Sequence, residues 1–388
     1  MDAKRFLTHS LQDPHIAHIL AAAINAVDPA KLVRDYLQRT DLPKHDRVFL
    51  LGIGKAADPM TFAAADILPH FTRALVVTKH ASSRTHEQIA VMEGGHPIPD
   101  ERSLAAGQAT LDFVSKLNEN DSLICLISGG GSALVTAPRE GITLEEIRSK
   151  TTSLLASGAT IHEINKLRQQ LDRIKGGGLT RATKAKIVSL ILSDVIGNSL
   201  ETIASGPTVD SSLGARVQNI IVGDLQIAAQ AAQQQAIAEE FDSEILDLQI
   251  QGEAREVGLR LAEKLKEERG KRESPFCLIA GGETTVTIKG NGKGGRNQEV
   301  ALAAVDELNG SENILFISLA TDGDDGPTDA AGAVVNGETC QRGKKLGMNV
   351  SAYLSRNDAY NFFDPLDDLL KPGYTGTNVN DLMFLVGI

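Results

Sequence analysis

Cysteine is scarce: Cys125, Cys277 and Cys340 are the only three in 388 residues, and they stand far apart. That scarcity excludes a disulfide framework, and no Cys/His spacing fits a structural zinc site. Two of the three, Cys125 and Cys277, fall inside apolar strand-like runs, so the set reads as reduced, buried thiols of a cytoplasmic protein. Positive charge is also in deficit, with 39 Lys and Arg against 50 Asp and Glu and a net charge of -11. A nucleic-acid partner would need a basic stripe, which this balance argues against. An anionic substrate must therefore be met by local cations. No run approaches the ~20 apolar residues that span a bilayer, and Met1–Ser10 has no apolar stretch of signal-peptide type. A cytoplasmic location without a membrane partner is expected. Fixed-period repeats and low-complexity segments are absent as well.

A chain of 388 residues with 42% hydrophobic composition exceeds one core, so two domains are expected. The first forty residues read as two helices split at Asp28-Pro29. Strands at 48–52, 74–78, 123–128 and 186–192 alternate with helices at 56–68 and 101–117, the latter opened by Asp100. Continuously apolar strands in such alternation predict a parallel sheet buried on both faces. Thr143–Glu146 and Thr160–Glu163 fit the capping box. Residues 223–240 are Ala- and Gln-rich and 251–272 are a charged helical stretch, which places a boundary near 240–275. Beyond it come strands at 276–280, 284–289, 313–320 and 382–386 and a helix at 298–308, a second α/β domain.

Glycine clusters close several of these apolar runs. Gly52-Ile-Gly54-Lys55-Ala56-Ala57 matches G-x-G-x-x-A between a strand and a helix. A dinucleotide site wants Asp or Glu at the end of the next strand, but that strand ends Val77-Thr78-Lys79-His80. NAD is thereby disfavoured, and NADP is left only a basic pair. The segment fails as a P-loop too, since one residue separates its glycines and Ala56 takes the Ser/Thr place. A lysine at a glycine turn over a helix N-terminus remains, where anions bind well; the plainer reading is an exposed lysine.

Ser128-Gly129-Gly130-Gly131-Ser132 reads as a backbone nest with a hydroxyl at each end. A serine nucleophile competes, but G-x-S-x-G and a matching triad are absent. Lys175-Gly176-Gly177-Gly178 is either a second nest or the glycine cap of a helix over 167–174. Asp194 ends a strand, where open α/β sheets bind ligands, and the Ser205-Gly206-Pro207-Thr208 turn follows. Asp322, Asp324 and Asp325 crowd acidic groups after another strand without the spacing or closing Glu of an EF-hand. Acidic strand ends near phosphate loops suit Mg²⁺, although each Asp is equally a turn former. Gly295-Arg296-Asn297-Gln298-Glu299 sets an arginine at a helix start, where its fork clamps carboxylate or phosphate. His96, beside prolines in Gly94-Gly-His-Pro-Ile-Pro-Asp100, reads as structural. Lys166, Arg168 and Arg173 read as a solvated helix face from which Arg168 can turn inward.

Taken in order, these motifs resemble the type II glycerate 2-kinase family with its C-terminal MOFRL-type domain. Asn165-Lys-Leu-Arg168, Ser193-Asp-Val195, Gly281-Gly-Glu-Thr284, Gly326-Pro-Thr-Asp-Ala-Ala-Gly332 and Thr375-Gly-Thr-Asn-Val-Asn-Asp381 extend the match nearly end to end. The resemblance implies phosphorylation of D-glycerate by ATP at the 2-hydroxyl, giving 2-phosphoglycerate, with Mg²⁺ as cofactor. It also implies a larger N-terminal Rossmann-like α/β/α sandwich over 1–245 and a smaller C-terminal α/β domain over 246–388. The last strand is free to return to the larger domain, and the active site lies in the interdomain cleft. On this reading Lys55, Arg296 and Asp194 are catalytic, with Lys55 and Arg296 facing each other across the cleft. Gly54, Ser128, Gly129, Gly130, Gly131, Ser132, Asn165, Arg168, Lys175, Gly176, Gly206, Glu283, Asn297 and Glu299 bind substrate or phosphate. Asp194 and Asp322 hold Mg²⁺. Asn198 stands where the family commonly has a second Asp. Members are sometimes labelled hydroxypyruvate reductases, so an NAD(P)H-dependent reductase is the alternative, and a non-catalytic nucleotide-binding regulator is a third class. A homodimer is an open expectation.

Overall fold

The continuously apolar runs become the inner strands of two six-stranded sheets. The computed structural model that carries them describes residues 1–40, 47–156 and 161–388. In the first sheet β1 (Arg47–Ile53), β2 (Arg73–Thr78), β3 (Ile89–Glu93), β4 (Asp121–Ser128), β5 (Lys186–Leu192) and β6 (Val217–Gly223) run in the order β3-β2-β1-β4-β5-β6. Every pairing is parallel. Strand order reverses between β1 and β4, and a doubly wound sheet opens its ligand crevice there, at the carboxyl ends. Leu51, Ile53, Leu123, Cys125, Ile127 and Ile191 fill the core around these strands.

Local sequence signals set the helices. Asp100 caps the helix Glu101–Val114 in a capping box with Ser103. Thr143 and Glu146 form the expected box too: the Glu146 N–H donates to Thr143 Oγ1 at 3.1 Å and the Thr143 N–H to Glu146 Oε2 at 2.9 Å. The box expected at Thr160 lies outside the described residues.

The second sheet holds β7 (Asp242–Ile250), β8 (Phe276–Gly282), β9 (Ile314–Ala320), β10 (Gly332–Val335), β11 (Leu369–Leu370) and β12 (Asp381–Gly387). Its order is β11-β10-β9-β12-β8-β7; β7 pairs with β8 in parallel and the other pairings are antiparallel. The last strand, β12, is therefore inside this sheet and does not return to the other. The strand expected at 284–289 is not formed: beyond β8 the segment makes a single bridge, Thr285 to Glu253, and Ile288 is 79% exposed. Val286 packs on the core but Ile288, two residues on, points to solvent, so the segment has too little buried side chain to hold a strand.

Contact density divides the chain into Pro29–Asp224 and a unit made of Met1–Asp28 with Leu225–Ile388. This division by contacts falls at other points than the boundary expected at 245, and it gives two units of similar length. The cause is the first helix, Pro14–Ala26, which packs against the Ala-rich helix Leu225–Ala238. Ala228, Ala229, Ala232 and Ala236 are fully buried, so that stretch is a packing surface and not a linker. Among the described residues no single helix is long and apolar enough to cross a membrane.

Candidate active site

The carboxyl ends of β1, β4 and β5 bring several of the expected residues together. Gly54 leaves β1 at φ +129°, and a Cβ there would lie 2.3 Å from Ser128 Oγ, so only glycine fits. The Lys55 N–H donates to Gly129 O at 2.9 Å, and the Ala56 N–H to Ser128 Oγ at 2.9 Å, which ties the two loops together. Gly130, at φ +82°, caps the short helix Gly131–Leu134; a Cβ on it would lie 3.1 Å from Lys55 Cγ and 3.2 Å from His96 Cδ2. Asp194 follows β5 and lays its carboxylate on the neighbouring glycine: a Cβ on Gly129 would fall 1.7 Å from Asp194 Oδ2.

The electrostatics of the crevice show in His96. Its half-buried imidazole is pushed down to about 4, first by burial and then by the charges of Lys55, Lys79 and Arg168. It is thus neutral at pH 7 and sits among three cations. Burial also lowers the Arg168 guanidinium from its ordinary value, so this arginine does turn inward while Lys166 and Arg173 stay exposed. The sequence does not single out His96 because its neighbours are two glycines and two prolines, and the charges of Lys55, Lys79 and Arg168 reach it only through the fold.

Behind the glycine loop runs a chain of hydroxyls. Ser132 Oγ lies 2.7 Å from Ser205 Oγ, Ser205 Oγ donates to Asn165 Oδ1 at 3.0 Å, and Asn165 Nδ2 donates to Thr202 O at 3.5 Å. Ala204 and Ser205 hold left-handed backbone, φ +50° and +61°, an uncommon state for non-glycine residues that functional sites retain.

The Lys175-Gly176-Gly177 loop is a correction. Lys175 is buried and donates to Asp172 Oδ2 at 2.7 Å and Val135 O at 3.3 Å. Its ammonium pKa is lowered by burial, against the pull of Asp172. The Gly176 N–H donates to Ser205 O at 2.9 Å and the Gly177 N–H to Gly206 O at 2.8 Å. The Gly206 N–H goes to Ile203 O at 2.9 Å. These amides brace the 205–206 turn, leaving no nest for phosphate.

In the second unit, Gly295-Arg296-Asn297-Gln298-Glu299 opens the helix Arg296–Ala304. Arg296 grips the buried Asp381 through Nε at 2.5 Å and Nη2 at 3.1 Å, and its Nη1 lies 3.4 Å from the exposed Glu283. Those carboxylates raise the guanidinium further despite burial. Asn297 and Glu299 are buried and engaged within the unit: Asn297 accepts from Ser318 Oγ at 2.8 Å, and Glu299 pairs with the half-buried Arg255 at 2.5 Å and with Asn357 at 3.2 Å. Asp325 turns inward and accepts the Asn297 and Gln298 N–H groups at 3.1 and 2.8 Å. Asp322 Oδ1 accepts the Asp324 N–H at 3.2 Å. Asp194 and Asp322 belong to different units, and no cluster of three or more His, Cys, Asp or Glu fit for a metal occurs among the described residues.

Fold and site together define a two-unit α/β protein whose parallel sheet ends in cations, a glycine loop and a carboxylate. Residues 15–238 match the family described as a domain of unknown function, DUF4147, and residues 276–381 match the MOFRL family. A D-glycerate 2-kinase of Thermotoga maritima is 40% identical over 94% of this chain and 96% of its own length. A glycerate 2-kinase of Pyrococcus horikoshii is 36% identical over 95% and 96%. The crystal structure of a glycerate kinase from Thermotoga maritima superposes with a TM-score of 0.88 at 39% identity, covering 96% of this chain and 98% of that one. The chain belongs to the type II glycerate kinase family.

Proposed function

We propose that the protein transfers the terminal phosphoryl group of ATP to the 2-hydroxyl of D-glycerate, giving 2-phosphoglycerate and ADP. The observation that carries the reading is the meeting of Lys55, the Gly129–Gly131 loop and Asp194 at the switch point of the parallel sheet. Phosphoryl transfer needs positioning and charge neutralisation more than covalent chemistry. Lys55, with Lys79 and Arg168 nearby, supplies cations for transferring or carboxylate oxygens, and the first turn of the helix Gly131–Leu134 offers N–H groups that have no partner inside the helix. Arg296 is the cation proposed from the second unit.

The residues present fit Mg²⁺. That ion usually takes one or two carboxylates with phosphates and waters, and Asp194 is a carboxylate at a strand end. Bound there, it would neutralise charge on the phosphate oxygens. A second proposed role for Asp194 is to take the hydroxyl proton, and a Mg²⁺ titration of Asp194→Asn separates the roles. A raised half-saturating Mg²⁺ marks a ligand, whereas a lowered kcat at unchanged Mg²⁺ dependence marks a base. The proposed location is the cytoplasm, in keeping with three free, buried thiols.

Purified protein should consume ATP only when D-glycerate and Mg²⁺ are both present, and NMR of the product should show 2-phosphoglycerate. NAD(P)H oxidation with hydroxypyruvate, without ATP turnover, would overturn the proposal.

A further inference from the structure

The hydroxyl chain behind the glycine loop has a direction, and that direction decides what Ser132 can bind. Asn165 Nδ2 donates to the carbonyl of Thr202, which only accepts, so Asn165 Oδ1 is the acceptor end of the amide. Ser205 is fully buried and its single hydroxyl hydrogen goes to that Oδ1 at 3.0 Å. The contact between Ser132 Oγ and Ser205 Oγ at 2.7 Å must then be donated by Ser132. Ser132 is half-buried, one residue from the Gly131 amide that begins the helix. Its hydrogen is spent inward, so to a ligand that reaches its half-buried side chain it offers lone pairs alone. A phosphate or carboxylate oxygen brings only lone pairs and gains nothing from such a group. A hydroxyl gains a hydrogen bond.

We propose that Ser132 is a specificity-determining acceptor for the non-reacting 3-hydroxyl of glycerate, and not a phosphate ligand as its motif suggests. The inference rests on the glycerate kinase reading above. The 2-hydroxyl must surrender its proton during transfer, and a neutral serine whose own hydrogen is committed is a poor base. The 3-hydroxyl keeps its proton throughout and matches an acceptor that never changes state. The strained turn at Ala204–Ser205, braced by the Gly176 and Gly177 amides, holds Ser205 in place to enforce this polarity.

The test compares wild-type kcat/KM for D-glycerate, D-lactate and the 3-fluoro analogue of D-lactate of the same configuration. Fluorine fills the space of the hydroxyl but cannot donate. Both analogues should fall below D-glycerate by about 10- to 100-fold, the cost of leaving a site acceptor unmet. If the fluoro compound performs like D-glycerate, the site donates and the inference fails. Ser132→Ala should reduce the D-glycerate to D-lactate ratio by a similar factor, and Ser132→Thr, which keeps the hydroxyl, should preserve it. An unchanged ratio in Ser132→Ala, or a raised KM for ATP in place of a lost acceptor preference, overturns the inference. Because the readout is a ratio among acceptors, it is separate from whether D-glycerate is phosphorylated at all.

Discussion

Lys55 is fixed at both ends of its peptide, its N–H on Gly129 O at 2.9 Å and its carbonyl under Thr78 Oγ1 at 3.4 Å, so the side chain is what remains to act. Donors aimed at developing charge typically contribute about 3–4 kcal/mol, so Lys55→Ala should lower kcat by roughly 100- to 1000-fold. Steady-state kinetics with unchanged far-UV circular dichroism checks it, and wild-type turnover would remove Lys55 from the mechanism. His96 carries a pH signature. Its folded pKa of about 4 lies below the free value of 6.5, so in that window the unfolded chain binds more protons. Stability should rise with pH from about 4 to 6.5 and be lost as pH falls back. His96→Gln should remove that part of the slope in denaturant titrations; an unaltered slope would mean the imidazole titrates normally. The positions of Lys55 and Asp194 just beyond strand ends were legible because each follows an apolar run that could only be an inner strand. The burial of Asn297 and Glu299 was not, because their partners Ser318, Arg255 and Asn357 lie far along the chain and no spacing reveals it.

At the level of elements, loops and caps do the positioning. A methyl on Gly129 would overlap the Asp194 carboxylate, so Gly129→Ala should reproduce most of the Asp194→Asn defect, about 100-fold in kcat, the scale of a lost acid–base group. Equal activity in Gly129→Ala and wild type would mean that Asp194 is not held against that loop. The helix Arg296–Ala304 depends on a cap from afar, the Asp325 carboxylate on two of its first N–H groups. Burial pushes that carboxyl up to about 7, with Asp381 adding to the rise and the Gln298 amide opposing it. Between about 4 and 7 the folded chain then binds more protons than the unfolded one, so stability should fall as pH rises through that window. Asp325→Asn should lose this dependence, gaining on wild type as pH rises; a parallel pH profile in the two proteins would show an ordinary carboxylate. Inner strands β1, β4, β5, β8 and β9 were readable because burial on both faces forces continuous apolar sequence. The edge strands were not: polar residues interrupt β6 and β7, β11 has two residues, and the apolar run of β3, Ile89–Met92, is short and half-exposed.

Across the whole molecule the chain starts in one unit, builds the other, and returns. Composition marks a change near residue 223 but cannot tell a linker from a packing surface, and that choice turns on a helix two hundred residues upstream. The N-terminal segment is held to its unit by particular bonds. The Ser10 N–H and Oγ donate to the buried Asp368 at 2.7 and 3.0 Å, Arg5 reaches Pro372 O at 3.1 Å, and Thr377 Oγ1 donates to Val27 O at 2.7 Å. Ile16, Ile19 and Leu20 are buried on the helix that covers Leu225–Ala238. At roughly 2 kcal/mol for each large aliphatic side chain buried, their removal takes a large share of the 5–15 kcal/mol that typically stabilises a domain. It also leaves Asp368 buried without the two donors of Ser10. Deleting residues 1–27 should therefore unfold Leu225–Ile388 while Pro29–Asp224 keeps its own sheet and core. Hydrogen exchange read by mass spectrometry should show protection lost in the C-terminal segment and retained in β1, β4 and β5. Loss confined to Pro29–Asp224 would return the N-terminal helix to that unit, and full protection in both would make it dispensable to the fold.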